Sequence, residues 1–129
     1  MPLYMKIDGI TGPIQKPTQF QGSFVVETVQ LPPQTTFWNP TNARELATEL
    51  FVSMRSNSVD VYKLAFTGEP RDFTIWFVRE TGATFRIVKL LDARITHYSN
   101  VRAGSDSLDS LHLEFTKIAY HEFGPPVHK

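Results

Sequence analysis

The chain has 129 residues, 41% of them hydrophobic and 20% charged, with 13 Lys and Arg set against 13 Asp and Glu and no cysteine. That length predicts one domain, which buries roughly two thirds of its unfolded surface, and the composition excludes a disordered tail protein. Zero net charge leaves no global field for nucleic acid or anionic lipid, and the absence of thiols closes off disulfide frameworks and thiolate sites. The start, Met1-Pro2-Leu3-Tyr4-Met5-Lys6, lacks the basic segment and apolar core of a signal peptide, and no run approaches about 18 apolar residues. The expectation is synthesis in the cytosol, with any export by a route that needs no cleaved leader.

In chain order, Leu3, Met5 and Ile7 alternate with polar neighbours, which predicts a strand ending at Asp8-Gly9. Residues 11–21 read as loop, because Pro13 and Pro17 cannot donate to a ladder and Gly12 and Gly22 bracket little apolar content. Residues 23–31 are dense in β-favouring side chains, Phe24, Val25, Val26, Thr28 and Val29, and Pro32-Pro33 stops them. Residues 32–42 hold three prolines around Phe37-Trp38. Two readings are open: the aromatics fold back on the subunit's own core, or the arm docks on another subunit. Residues 43–54 are ambiguous. Ala43, Leu46, Ala47, Leu50 and Met54 have helical spacing, and Asn42 with Glu45 resembles a capping box, whereas a second reading places Leu50-Phe51-Val52 in a strand.

Residues 56–67 predict a helix capped by Ser56 or Ser58, with an apolar stripe of Val61, Tyr62, Ala65 and Phe66 and a stop at Gly68 and Pro70. Residues 72–79 carry Phe73, Ile75, Trp76, Phe77 and Val78, a strand apolar on both faces that turns through 80–83 into residues 84–98. There Phe85 and Ile87 mark one face, and Val88 and Leu90 the other. Residues 100–110 read as a long solvated connection, with Gly104, Asp106 and Asp109 as turn formers and Arg102 as its cation. Beyond it Leu111, Leu113 and Phe115 alternate with His112, Glu114 and Thr116, after which the phase flips to Ile118 and Tyr120. A flip of that kind marks a bulge or a change of packing partner. Six or seven strands with one or two helices make the chain mainly β within the α+β class, a barrel or sandwich.

Chemistry-bearing patterns are sparse. There is no nucleophile elbow, glycine-rich phosphate loop or His-Glu-x-x-His run. His112, Glu114 and His97 are a candidate convergence of two imidazoles and a carboxylate, but a polar strand face explains them more simply. Asp106 and Asp109 read as turn residues, and His121 and His128 lie at or near the Gly124-Pro125-Pro126 tail, about 124–129, expected to be flexible. Arg71, Arg79, Arg86, Lys89 and Arg94 come without the aromatic series that single-stranded nucleic acid needs. No catalytic residue, cofactor or metal is expected, and the chain is not read as an enzyme.

Lys6-Ile7-Asp8-Gly9-Ile10, with Gly12 and Gly22 ahead of the Val-rich run, resembles the opening of the hemolysin-coregulated protein (Hcp) family, the inner-tube subunits of type VI secretion systems. Residues 51–68 resemble that family's strand end, polar turn and short helix. Residues 73–78 and 85–98 resemble its central strands, and 108–120 its closing strand with the phase flip. The likeness runs through nearly the whole chain in order.

The resemblance implies a single tube domain over 1–129, an antiparallel β-barrel with one flanking helix. It implies six copies closing into a ring, rings stacking into a tube, and export with effectors in the lumen. Implied partners are further copies of itself, a spike protein, the contractile sheath, the baseplate and effectors, with no nucleic acid and no membrane insertion. It also implies that 43–54 is largely strand, against the local helix signal. Two departures stand out: residues 32–42 are short, proline-rich and aromatic where the family is long and Gly/Ser-rich, and the sequence stops soon after the last strand, without a fused effector domain. The expected contacts between copies are Pro33, Phe37 and Trp38, because a proline-stiffened arm loses little entropy on docking, and Asn100, Arg102 and Asp106 at an exposed ring end. A phage tail-tube subunit shares the implied architecture; a small ligand-binding or enzymatic barrel would instead show a cavity with converging polar groups.

Overall fold

The described residues form seven strands and one α-helix: β1 (Leu3–Ile7), β2 (Phe24–Gln30), β3 (Glu49–Arg55), α1 (Val59–Thr67), β4 (Arg71–Val78), β5 (Thr84–Ala103), β6 (Asp106–Glu114) and β7 (Lys117–Glu122). The computed structural model describes residues 3–16, 18–30, 49–55, 58–103 and 106–122. All pairings are antiparallel, in the order β4-β1-β2-β3-β6-β5, and the ladder between β4 and β5 closes this ribbon into a six-stranded barrel. β7 prolongs the line of β6 along β5, after a break at Phe115 and Thr116. That break is the phase flip legible in the sequence. The barrel with one flanking helix matches the expected fold class.

Alternation along each strand fills the interior. Met5 and Ile7, Phe24 and Val26, Phe73 and Ile75, Val88 and Leu90, and Leu111 and Leu113 are all buried in one cluster. The 20-residue β5 is long enough to pair with three strands, β4, β6 and β7, and its ladder is interrupted near its middle. Asp92 takes φ 52°, a left-handed conformation that Asp tolerates better than most residues, and its backbone N–H donates to Asp72 Oδ1 at 3.2 Å. The register with β4 shifts there, so β5 runs beside β4 and β7 before the bulge and beside β6 after it.

Two sequence expectations change and one open alternative is decided. The helix does not bury Val61, Tyr62, Ala65 and Phe66; it buries Val61 and Leu64 and packs Ala65, leaving Tyr62 and Phe66 exposed. The i, i+3, i+4 set of Val61, Leu64 and Ala65 is the narrower stripe, and it faces the barrel. Its caps are as expected: Ser58 Oγ accepts from Val61 N at 3.3 Å, and Gly68 takes φ 69°. Between the helix and strand readings of 49–54, the strand implied by the resemblance is the one adopted. Leu50, Val52 and Met54 point inward opposite Leu113, Leu111 and Asp109, and a ladder on each side outweighs local helical spacing. Residues 43–48 lie outside the described residues. Lastly, 100–110 is no long solvated connection: β5 reaches Ala103 and β6 begins at Asp106, paired rung by rung from Asn100 with Asp109 to Ala103 with Asp106. Ladder bonds and a buried carboxylate at Asp109 defeat the turn signals.

The loop from 10 to 23 is braided rather than loose. Gly12 N donates to Gly22 O at 2.7 Å, Gly22 N to Ile14 O at 2.8 Å, and Ile14 N to Ser23 O at 3.1 Å. A Cβ on Gly12 would collide with the Ser23 carbonyl and press on the Phe24 ring. Gly12→Ala is therefore expected to cost about 1–3 kcal/mol, as overpacking does, and to lower the urea midpoint without changing the slope. An unchanged midpoint would show that the braid is slack.

Candidate functional site

Four strands present a continuous outer face: the end of β2, β3, β6 and the second half of β5. Residues with side chains inward along β3 and β6 leave Phe51, Ser53, Ser110, His112 and Glu114 outward. The register brings Phe51 opposite His112, and His112 opposite His97. An open groove of about 740 Å3 runs over this face, bounded by Thr28, Gln30, Phe51, His97, Ser99 and Ser110.

At its centre three rings form a stack. Phe51 lies against His112 with centroids 4.4 Å apart, and His112 against His97 at 5.1 Å with planes inclined by 20°. His112 Nδ1 stands 3.2 Å from His97 Nδ1, so in the neutral pair one nitrogen donates and the other accepts. On the far side of the ring, Glu49 Oε2 lies 3.2 Å from His112 Nε2, close enough for an ionic contact but off the hydrogen-bonding line.

Beneath this face Asp109 is fully buried. Its Oδ1 accepts from Tyr98 OH at 3.0 Å and from Asn100 Nδ2 at 2.5 Å, while Oδ2 has no hydrogen-bond partner among the described residues. Burial, together with the bond to Asp109 and its negative charge, pushes the Tyr98 phenol from its ordinary 10 up to about 12. Asn100 also donates to Ser107 Oγ at 2.7 Å, so its amide is committed within its own chain.

No family model and no curated protein matches the sequence. Solved structures do. Hcp1 from Salmonella typhimurium superposes with a TM-score of 0.77 at 14% identity, over 94% of this chain and 85% of that one. Hcp2 from the same organism gives 0.76 at 16% identity, over 95% and 87%. A type VI secretion system effector from Yersinia pestis gives 0.70 at 13% identity, over 94% and 99%. The chain has the Hcp fold.

Within the Hcp fold the sequence-predicted residues separate. His97 and His112 do meet, across β5 and β6, but the carboxylate beside them is Glu49 and not Glu114, which pairs across the ladder with Glu49 and Arg94. Among the described residues no group of three or more His, Asp or Glu is placed to hold a metal ion. Asp106 and Asp109 are not a matched pair of turn carboxylates, because Asp109 is buried and bonded to Tyr98. Of the residues expected between copies, Asn100, Arg102 and Asp106 lie on the end of the β5–β6 hairpin, and Pro33, Phe37 and Trp38 lie outside the described residues. Glu49 was missed because its partner is distant in sequence; the signal for it was the strand reading of 50–52, extended by one residue.

Proposed function

We propose that this chain is an inner-tube subunit of a type VI secretion system, six copies of which close into a ring. Rings stack into a tube that is exported and carries effectors in its lumen. The observation that supports this best is the extent of the likeness. The barrel superposes over 94–95% of this chain, with TM-scores of 0.70 to 0.77, on proteins described as Hcp or as a type VI secretion system effector. The role is structural and not catalytic. A spike protein, contractile sheath and baseplate are the partners it needs, and it leaves the cytoplasm after assembly.

A head-to-tail ring needs two different complementary patches on every copy, and strand edges that pair on one side among the described residues support that reading. β1 covers only Phe24 to Val26 of β2, so its Thr28, Val29 and Gln30 pair with β3 alone among the described residues, and β7 likewise pairs with β5 alone. Strand edges of this kind extend a sheet across a subunit boundary by backbone hydrogen bonds. Val59 and Phe66 add exposed apolar surface on α1.

Light scattering on the purified chain is expected to give a mass of six copies, and negative-stain images to show rings with a central channel. A monomer across the micromolar range, together with images free of rings, would overturn the reading.

A further inference from the structure

The outer groove holds a cluster that the ring reading does not use. We propose that His97 and His112 form a two-imidazole site for a divalent transition-metal cation of the imidazole-preferring kind, Zn2+ or Ni2+. The site rests on the fold of one chain and does not depend on assembly.

The first argument is spacing. Two nitrogens that each stand about 2.0–2.1 Å from a tetrahedral zinc are about 3.4 Å from one another. His97 Nδ1 and His112 Nδ1 are 3.2 Å apart, the edge length of such a coordination shell. Antiparallel register holds them there, because His97 and His112 are direct cross-strand partners.

The second argument is the carboxylate behind one ring. A metal-bound imidazole commonly turns its other N–H toward a carboxylate, which fixes the tautomer and raises the basicity of the ligating nitrogen. Glu49 Oε2 lies 3.2 Å from His112 Nε2, within ionic contact but off the hydrogen-bonding line, so a turn of its carboxylate brings it into that place when a cation binds. The proton then stands on Nε2 and the Nδ1 lone pair of His112 is left for the cation. Phe51, stacked on the opposite face of His112, keeps that ring from turning away.

The rings now lie nearly parallel, so a bound cation requires one of them to swing until both lone pairs converge. His97 is exposed and free to rotate about its terminal torsion, while His112 is the anchored member. Among the described residues no Lys or Arg lines the groove, and Arg94 and Glu114 on a nearby rung pair across the ladder. The remaining coordination positions face open solvent and belong to water. Binding is thus exchangeable and weakens on acidification, since protons compete for the same lone pairs.

The test is calorimetric titration of the tag-free protein with Zn2+ and with Ni2+ alone, paired with NMR of the imidazole nitrogens. One cation per chain is expected, with Nδ1 of His97 and His112 shifting together. His97→Ala and His112→Gln should each weaken binding by about 100-fold and Glu49→Gln by about tenfold, because two ligands and one outer-shell carboxylate are removed in turn. His121→Ala, on β7, should leave affinity unchanged. Thermal unfolding of each variant shows whether it is folded, and His97→Ala, at an exposed position, tests the site even where His112→Gln does not fold. Absence of stoichiometric binding, or binding indifferent to both histidine variants, would overturn the proposal.

Discussion

Replacing Phe73 by alanine is expected to destabilise the barrel by about 3–5 kcal/mol, the range for a truncated buried phenylalanine. The side chain is fully buried, lies opposite Ile7 on one neighbour and Leu90 on the other, and sits where three strands meet. A wall of paired strands on both sides cannot collapse into the space, so the cavity term adds to the lost transfer free energy. Against a total stability of about 6–19 kcal/mol for a domain of this length, that loss is large enough to lower the melting temperature by about 10–20 °C. The urea midpoint should fall with the slope preserved. Phe66→Ala is the control: the same side chain on α1 is 85% exposed, and its removal should stay within about 0.5 kcal/mol. Equal effects at the two positions would show that Phe73 does not belong to the core.

Strand periodicity made most of the barrel legible. The alternation at Leu3, Met5 and Ile7 became a row with Met5 and Ile7 buried and Leu3 half-buried, that at Leu111 and Leu113 a buried row, and the flip after Thr116 became the break between β6 and β7. Local rules misread two places. At residues 49–54 helical spacing competed with the ladders that flank β3, and at 100–110 turn-forming residues competed with the long β5–β6 hairpin. At 49–54 the deciding partners are distant in sequence, while at 100–110 they are the opposite arm of one hairpin, from Asn100 with Asp109 to Ala103 with Asp106; no window of a single strand contains either set. The helix stripe erred by rotation alone, since Tyr62 and Leu64 are both apolar and only the barrel chooses between them.

The groove was less legible than the fold. His97 and His112 were visible as a pair because each stands on an apolar-alternating run, yet their separation follows from register, which depends on the bulge between Ile95 and His97. Glu49 was hidden by the ambiguity of its segment. Asp109 was taken for a turn residue because Ser, Asp and Gly surround it; nothing in those neighbours announces that Tyr98 and Asn100 will converge on it.

Removing that convergence should produce the second large effect. Asp109→Ala is expected to cost about 2–4 kcal/mol, since two hydrogen bonds to an ionised group are lost against the desolvation of one buried carboxylate that is recovered. Asn100 keeps Ser107, so the stranded group is the Tyr98 hydroxyl. Asp109→Asn should be milder, because its carbonyl oxygen can still accept from both donors while the buried charge is gone. The alkaline limb of the stability curve separates this account from simple cavity formation. Tyr98 holds its proton more tightly in the folded chain, at about 12 against an ordinary 10, so its contribution is present below pH 10 and is lost as pH rises through 12. Tyr98→Phe should remove that loss. Asp109→Ala should reduce it and bring the phenolate absorbance change to lower pH, leaving the part due to burial and to the neighbouring Tyr62. A phenolate transition that stays in place after Asp109→Ala would show that the carboxylate does not act on Tyr98, and that any lost stability comes from packing alone.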